Sequence, residues 1–277
     1  MESRGRIFGK SGSALEKEWA ALMKSEARFL NRQKEKKQSL LNEKLEHVVP
    51  EKLRSTLNAA FIKAFEVVFD KGTGLIEKTY QKEKKEYRQK INTYAAGLKE
   101  TRKNLKAFSK QAGASKTKNL VVSGVEGIGT GIFGVGIPDI PLFTGVILKS
   151  LYEIALSYGY RYDTEEEEIF LLKVIETSLS HGEELMDGDA QINRWIENGE
   201  AFPVGKKEAV RETAGLLAEE LLYMKFVQGL PVVGVVGGLS DCVYLKKITD
   251  YGELKYRRRF LWERKSKRLP TQEKGWK

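Results

Sequence analysis

The chain has 277 residues, 41% of them hydrophobic and 31% charged, so it can fold around a core and is not a disordered chain. One cysteine and two histidines exclude a disulfide framework and any standard zinc site, and no cofactor or metal is expected. The net charge of +10 is uneven. Residues 1–118 hold 28 Lys and Arg against 14 Asp and Glu, residues 119–245 hold 8 against 20, and residues 246–277 hold 12 against 4. The basic ends either pair with the acidic middle or face an anionic partner.

The beginning of the chain is predicted to form two helices. Ser13 and Glu16 have the spacing of a capping box and open a helix that is expected to reach about residue 48. Pro50 suits the first turn of a second helix, which is predicted to end at the glycines that begin at Gly72. The first 12 residues lack the apolar core of a secretory signal, so the cytoplasm or the inner face of the cell membrane is the expected location.

A long polar helix is predicted next, from Leu75 to about Phe108. Apolar residues recur along it at helical spacing: Ile76, Tyr80, Tyr87, Ile91, Tyr94, Leu98 and Leu105. Composition then changes near residue 112. We therefore predict a long basic helical arm or hairpin at 1–112, partly packed on the rest, a helical core at 113–269, and a tail at 270–277.

Two Gly-rich apolar segments interrupt this pattern. The segment 127–148 is as long and apolar as a membrane span, but Pro138 and Pro141 bar a regular helix in its middle, so two short helices that meet at a corner are predicted. The segment 226–245 repeats the pattern more weakly. Their glycines are spaced for close helix contact: Gly127 with Gly131, and Gly234 with Gly238.

Asp139, within the proline corner, is the weak candidate for a functional acid. A carboxylate in apolar surroundings must be paired, protonated or hydrogen-bonded. It can cap the helix that follows, accepting backbone N–H groups near Phe143, or it can serve as an acid in a cleft. Capping is the favoured interpretation, and the same alternatives hold for Asp241. No residue is assigned a catalytic role.

The downstream half is also predicted to be helical. Leu142–Tyr158 is expected to be buried, and Thr164 with Glu167 forms a capping box for the next helix. Residues 182–205 are predicted to be rich in loops with one short helix near 190–197, and His181 is interpreted as a loop residue. Helices are expected at 206–228 and, as one or two, at 232–267. The predicted fold is all-α, a multi-helix bundle with buried Gly-rich helices.

The last predicted helix carries a dense cationic run: Arg257, Arg258, Arg259, Arg264 and Lys265. Tyr256, Phe260, Leu261 and Trp262 lie among these charges. Either the arginines pair with the acidic middle of the chain, or the helix lies in the interface of an anionic membrane. The second alternative predicts salt-sensitive binding to anionic vesicles, weakened by charge reversal at Arg258, Arg264 and Lys265.

The order of several short motifs carries a family resemblance. These are Gly134–Leu142 (GVGIPDIPL), Leu148–Ala155, Tyr158–Tyr160, Pro231–Gly234 with Gly237 and Gly238, and Tyr256–Leu261 (YRRRFL). In these motifs the chain resembles the EcsC protein family over roughly residues 75–265, with the first 70 or so looking like a lineage-specific arm. The resemblance implies a helical bacterial protein, from a family named after a gene beside an ABC exporter, without assigned catalytic residues.

Three function classes follow. The first is a non-enzymatic helical protein that supports a membrane process such as ABC-transporter-linked transport or secretion, with an anionic membrane surface or a membrane protein as its partner. The second is a hydrolase-type enzyme that uses Asp139 in a cleft, although no nucleophile–base pair is apparent. The third binds nucleic acid through the basic arms, which the interleaved glutamates and the missing docking motif disfavour.

Overall fold

The computed structural model describes residues 12–34, 50–78, 80–130, 140–227 and 238–267. The elements in these ranges are helices, which confirms the predicted all-α fold. They are α1 (Ala14–Lys34), α2 (Glu51–Val67), α3 (Thr73–Lys78), α4 (Lys82–Leu98), α5 (Arg102–Thr130), α6 (Ile140–Tyr158), α7 (Glu165–Leu179), α8 (Gly182–Asn198), α9 (Lys206–Val227) and α10 (Gly238–Ser266). A π-helical turn, Val68–Gly72, joins α2 to α3.

The two predicted starts near the beginning of the chain are confirmed. Ser13 Oγ accepts the Glu16 backbone N–H at 3.2 Å, and the Glu16 carboxylate accepts the Ser13 N–H at 2.6 Å, so α1 opens with a reciprocal capping box. α2 begins directly after Pro50. The predicted extension of the first helix to about residue 48 lies outside the described residues.

The single long helix predicted at 75–108 is wrong. The chain passes Gly72 in a π-helical turn and then forms three helices, with breaks before Lys82 and Arg102. Side chains at the second break make it stable. Thr101 Oγ1 accepts the Asn104 N–H at 3.2 Å, and the Asn104 amide donates to the Ala95 and Lys99 carbonyls at 3.0 and 2.7 Å. The end of α4 and the start of α5 are thus capped together.

The predicted boundary between residues 112 and 113 falls inside α5, and the division into domains stays a prediction.

The centre of the bundle is α6, which packs against α2, α3, α4, α5 and α10. All residues from Leu151 to Tyr158 are buried. Among the described helices, α6 alone has the length and composition to cross a membrane, yet 72% of its most apolar window is buried inside the protein. The apolar side chains of α6 therefore form part of the protein's core. The helix ends as predicted at Gly159, whose φ of +91° favours glycine.

The prediction of a loop-rich segment at 182–205 is wrong, because α8 is a continuous helix from Gly182 to Asn198. Gly188 lets it lie close to α7, since a Cβ there would be 2.5 Å from Thr177 Oγ1 and 3.2 Å from Thr177 Cβ. The predicted cap of α7 is confirmed on one side only. Thr164 Oγ1 accepts the Glu167 N–H at 3.3 Å, whereas the Glu167 carboxylate turns inward to other partners.

The basic helix α10 lies within the bundle. It packs against α1, α5, α6, α7 and α8. Tyr251, Tyr256 and Leu261 are buried along it, and Lys255 is 0% exposed. Burial of a lysine requires partners for its charge, so the fold itself raises the question of what the cationic run contacts.

Candidate membrane and anion interface

Two residues of the predicted corner, Pro138 and Asp139, lie outside the described ranges. So do two of the glycines predicted to pack helices, Gly131 and Gly234. Pro141 is exposed in the first turn of α6. Gly127 lies in α5, while Gly238 is the first residue of α10 and Asp241 follows in its first turn. The side chain of Asp241 is outside the described part, so capping and acid roles for either aspartate stay predictions, as does the packing of the paired glycines.

Lys255, two residues before the cationic run, is paired with carboxylates inside the bundle. Lys255 Nζ bonds Glu26 of α1 at 3.1 Å and Asp189 of α8 at 2.7 Å. It also donates to Asn193 Oδ1 at 2.8 Å. The Tyr251 hydroxyl donates to the same carboxylate oxygen as Lys255, Asp189 Oδ1, at 2.8 Å. Three helices are thus joined around one ammonium group, and each of its three N–H donors has an acceptor.

The three arginines that follow are held in the same way. Arg257 bonds Glu18 at 2.8 Å, and Arg258 bonds both Glu26 and Glu197, the latter at 2.6 Å. Arg258 is 7% exposed. The pairing predicted between the arginines and the acidic middle is found at Glu197, but the other two of these three contacts are made to α1, in the basic first third of the chain. Overall charge of a segment therefore did not identify the partners.

Arg259 occupies an aromatic site. Its guanidinium bonds Glu167 at 2.7 Å and lies 4.0 Å from the ring centroid of Tyr160 and 4.8 Å from that of Trp195. Burial raises the pKa of the Glu167 carboxyl above its ordinary value, because Arg259 and the Tyr256 hydroxyl offset only part of the desolvation. A planar guanidinium suits this combination of stacking and carboxylate pairing.

Arg264 and Lys265 complete the predicted run and lie over aromatic rings. Arg264 is 4.6 Å from the Phe260 ring centroid, and Lys265 is 4.8 Å from that of Trp19. Trp262 donates its indole N–H to the Glu197 carbonyl at 3.0 Å. Whether any of these side chains meets a lipid surface stays a prediction, but the three arginines at 257–259 already have carboxylate partners within the protein.

His181 is in the predicted loop position, between α7 and α8, but it is buried. Its Nε2 lies 3.5 Å from Lys247 Nζ, and its Nδ1 lies 4.0 Å from a Glu220 carboxylate oxygen. Tyr244 donates to the Glu220 carbonyl at 2.5 Å. These contacts tie the start of α8 to α9 and α10, so the histidine has a packing role that the sequence did not suggest.

The exposed face of α4 was missed by sequence reasoning. Of the apolar residues expected to form one packed stripe, Ile76, Tyr80 and Leu105 are buried. The four that lie in α4 are exposed instead: Tyr87 66%, Ile91 49%, Tyr94 70% and Leu98 71%. Their spacing of four, three and four residues places them on one side of the helix. We call these four residues the α4 apolar stripe.

The opposite side of α4 is firmly attached to the bundle. Ala96 is 2% exposed, Lys85 bonds Glu153 of α6 at 3.0 Å, and Asn92 donates to Gln111 of α5 at 3.1 Å. Because these contacts fix the helix, the α4 apolar stripe is a defined outward surface and not the product of a loosely held segment.

Basic side chains flank the stripe. α4 contains five Lys and Arg against two Glu. Lys84, Arg88 and Lys90 are exposed, and none of them has a carboxylate partner within the part of the chain that the structure describes. An apolar row bordered by free cations is the pattern of a helix that lies in an anionic interface. The signal is visible in the sequence, but the wrong prediction of one continuous helix concealed it.

A model of the EcsC protein family matches residues 16–261. The chain belongs to the EcsC protein family. Since the match starts in α1, the view that the resemblance begins near residue 75, after a separate lineage-specific arm, is wrong. The fold shows the physical reason, because Glu18 and Glu26 of α1 are partners of the α10 arginines. Most of the first helix therefore lies within the region that the family model matches.

Two relatives come from Bacillus subtilis (strain 168). "Protein EcsC" is 27% identical over 229 residues, which is 79% of this chain and 84% of the relative. "Uncharacterized protein YdbA" is 31% identical over 153 residues, 50% of this chain and 53% of the relative, so that match spans about half of the relative's length. No solved structure matches the chain. Neither name states a ligand or a reaction.

Proposed function

We propose that this protein is a non-enzymatic helical protein that binds peripherally to an anionic membrane surface through α4, and in that position supports a membrane process such as transport or secretion. The observation that carries the proposal is the α4 apolar stripe with its border of basic residues, which have no carboxylate partner among the residues that the structure describes. The surface is a property of the folded protein, because the other side of α4 is bonded to α5 and α6.

The apolar part of the interaction comes from two tyrosines, one isoleucine and one leucine. A 17-residue helix is about 25 Å long and can lie flat along a membrane. Tyr87 and Tyr94 suit headgroup depth, because the ring is apolar while the hydroxyl stays hydrated. Ile91 and Leu98, between and beyond them, can enter the acyl boundary. Each contributes by removing exposed apolar surface from water, at about 25 cal/mol per Å².

The electrostatic part comes from Lys84, Arg88 and Lys90. A basic residue near an anionic leaflet contributes about 1 kcal/mol, so the three together supply about 3 kcal/mol. This energy is reduced by salt, since the Debye length shortens from about 10 Å at 0.1 M to about 3 Å at 1 M. The combination predicts reversible binding that needs both anionic lipid and the apolar stripe.

We place the membrane-binding surface on α4 and not on α10, where the sequence suggested it. Arg258 and Arg259 already have carboxylate partners of their own, so they have little charge to offer a headgroup. Charge reversal at Arg258 would place a third carboxylate beside Glu26 and Glu197, and a loss of vesicle binding would then report loss of the fold. Variants in α4 avoid this ambiguity.

The test is flotation of the full chain with phosphatidylcholine vesicles, with and without phosphatidylglycerol, at low and high salt. We expect binding to the anionic vesicles only. The Ile91→Ser/Tyr94→Ser double variant should bind about tenfold more weakly, a loss of about 1.4 kcal/mol. The matched control, Met186→Ser/Val243→Ser, removes two exposed apolar side chains from α8 and α10 and should bind like the wild type.

Charge is tested separately. Arg88→Glu/Lys90→Glu should abolish binding to phosphatidylglycerol vesicles, whereas Lys63→Glu/Lys207→Glu makes the same charge change at exposed positions of α2 and α9 and should weaken it much less. Equal losses in the two charge variants would contradict a defined interface. The membrane proposal would be overturned if the wild type did not bind anionic vesicles but formed a dimer that the Ile91→Ser/Tyr94→Ser substitutions dissociate. The stripe would then be the contact surface for a second copy of the chain.

A further inference from the structure

A groove of about 880 Å³ lies between the first half of α5 and α10, and it is lined mainly by cations. Its lining residues are Arg102, Lys103, Lys106, Ala107, Ser109, Lys110 and Arg257. The volume is in the range of small-molecule sites, about 300–1,000 Å³. Five of the seven lining residues are Lys or Arg, so their charged ends, at the tips of apolar stems, are the groups that would hold a ligand.

Two of the cations are fixed by one buried carboxylate. Arg102 Nε bonds Glu18 at 2.7 Å and Arg257 bonds the other oxygen of the same carboxylate at 2.8 Å. Glu18 is 1% exposed, so it lies beneath the groove and not within it. A guanidinium has five N–H donors, and the contact with Glu18 uses only part of them. The two arginines are thus oriented with donors to spare.

The other cations are free to meet a ligand. Lys103, Lys106 and Lys110 are exposed, share one side of α5 through their spacing, and have no carboxylate partner in the described part of the chain. Five basic side chains therefore face a single carboxylate, which leaves four positive charges in excess. Water can reach these lysines, and within the described ranges no carboxylate neutralises them.

Ser109 adds a neutral donor. Its hydroxyl lies 2.9 Å from the Tyr158 hydroxyl. Burial raises the pKa of Tyr158 well above its ordinary value of 10, so the tyrosine stays protonated and can donate to Ser109. When the tyrosine donates, the serine hydroxyl keeps its own hydrogen for an acceptor in the groove. A charged wall with one oriented hydroxyl is suited to an anion with several oxygens.

We propose that the groove between α5 and α10 is a binding site for a phosphate ester or polyphosphate group, held by Arg102, Arg257 and the three lysines. Guanidinium groups match the paired oxygens of phosphate, and ammonium groups bind it as point charges. Such a group is offered both by lipid headgroups and by soluble phosphate compounds. The inference is independent of membrane binding through α4, because it depends on different residues.

The first experiment titrates the full chain with inorganic tripolyphosphate by calorimetry. The wild type should bind, and Lys103→Ala/Lys106→Ala/Lys110→Ala should bind about tenfold more weakly or worse. The matched control is Lys52→Ala/Lys63→Ala/Lys207→Ala, which removes the same charge from exposed positions of α2 and α9. Since all six lysines are exposed, both variants should fold. No binding by the wild type, or equal losses in the two variants, would overturn the proposal.

The second experiment separates the sources. Flotation with phosphatidic acid vesicles is repeated in the Ile91→Ser/Tyr94→Ser background, which removes the α4 contribution. If the lysine triple variant lowers this residual vesicle binding and tripolyphosphate competes with the vesicles, a lipid headgroup occupies the groove. If the protein binds tripolyphosphate but not the vesicles, the ligand is a soluble phosphate compound. Either result supports the proposal. Single-stranded DNA that binds more tightly than tripolyphosphate and loses affinity equally in both triple variants would overturn it. Unchanged vesicle binding in the Ile91→Ser/Tyr94→Ser variant would refute the α4 interface alone.

Discussion

The basic residues of α10 and those of α4 resemble each other in sequence and differ in the folded protein. Both helices mix lysine and arginine with tyrosine and leucine. In α10, Lys255 is completely buried and Arg258 is nearly so. Each of the four cations between positions 255 and 259 has a carboxylate oxygen within 3.1 Å. In α4, Arg88 and Lys90 are exposed, and no described carboxylate pairs with them.

The number of neighbouring helices explains this difference. Five helices pack around α10, whereas α4 packs against α5 and α6 and leaves its outer side to solvent. Cationic density in a sequence therefore reports an available surface only where few helices surround it. In a helix enclosed by others, the same density reports internal ion pairs, whose cost is offset only by good geometry.

The largest effect is expected at Glu26, which bonds both Lys255 and Arg258. Glu26→Ala leaves two buried cations with one carboxylate fewer, and removal of one partner of a buried ion pair costs about 3–5 kcal/mol. Urea unfolding should show this loss. Glu208→Ala, which breaks an exposed pair with Arg211, should cost less than about 1 kcal/mol. Similar losses in the two variants would remove the distinction between buried and exposed charge.

An intermediate effect is expected at Gly188, beside the Asp189 that bonds Lys255. Gly188→Ala would bring a methyl group against the buried, β-branched Thr177 and should destabilise by about 1–3 kcal/mol, although alanine is the better helix former. Gly215→Ala is the control, because no atom lies within 4 Å of the added carbon. It should raise the unfolding midpoint. A stabilising Gly188→Ala would show that α8 is free to move away from α7.

A pH-dependent effect is expected at Asp250, which bonds Lys116 of α5 and Lys246. Burial alone would raise the pKa of Asp250, but the two lysines outweigh it and hold the pKa below its ordinary value of 3.8. A depressed carboxyl pKa contributes stability above the unfolded value, and that contribution is lost as the pH falls through the folded value.

Asp250→Asn should accordingly lower the unfolding free energy by about 1–2 kcal/mol at neutral pH, the scale of a hydrogen bond to a charged group. The difference from wild type should narrow as the pH falls below 3.8. Chemical unfolding at several pH values measures it, with the exposed Asp70→Asn as control. A difference that grows in acid would mean that the lysines do not stabilise the ionised form.

The smallest effect is expected in the α4 apolar stripe. Tyr94→Ser should change the unfolding free energy by no more than about 0.5 kcal/mol. Tyr94 is already 70% exposed in the native state, so its exposure changes little on unfolding. Tyr251→Ser, at a tyrosine 1% exposed, should cost several times more. If Tyr94→Ser were equally damaging, the stripe would belong to the protein's own packing.

Sequence reasoning succeeded where the signal is local. The capping residues Ser13 and Thr164, the start at Pro50 and the end at Gly159 all depend on neighbours within a few positions, and the structure confirms them. It failed at 75–108, because an unbroken helical period concealed two breaks, the second of which is stabilised by the side chains of Thr101 and Asn104. The partners of the α10 arginines could not be predicted, since ion pairs between distant helices leave no spacing in the chain.

The distance along the chain between α1 and α10 has a consequence for biosynthesis. Glu26 is made 232 positions before Arg258, and Glu18 precedes Arg257 by 239. Throughout most of translation, Glu26, Glu167 and Asp189 lack the α10 cations that pair with them, and contacts between such remote segments form slowly. The native bundle can close only after α10 has left the ribosome. A chain that stops before α10 is expected to remain unfolded and to be degraded, even though every other helix has been made.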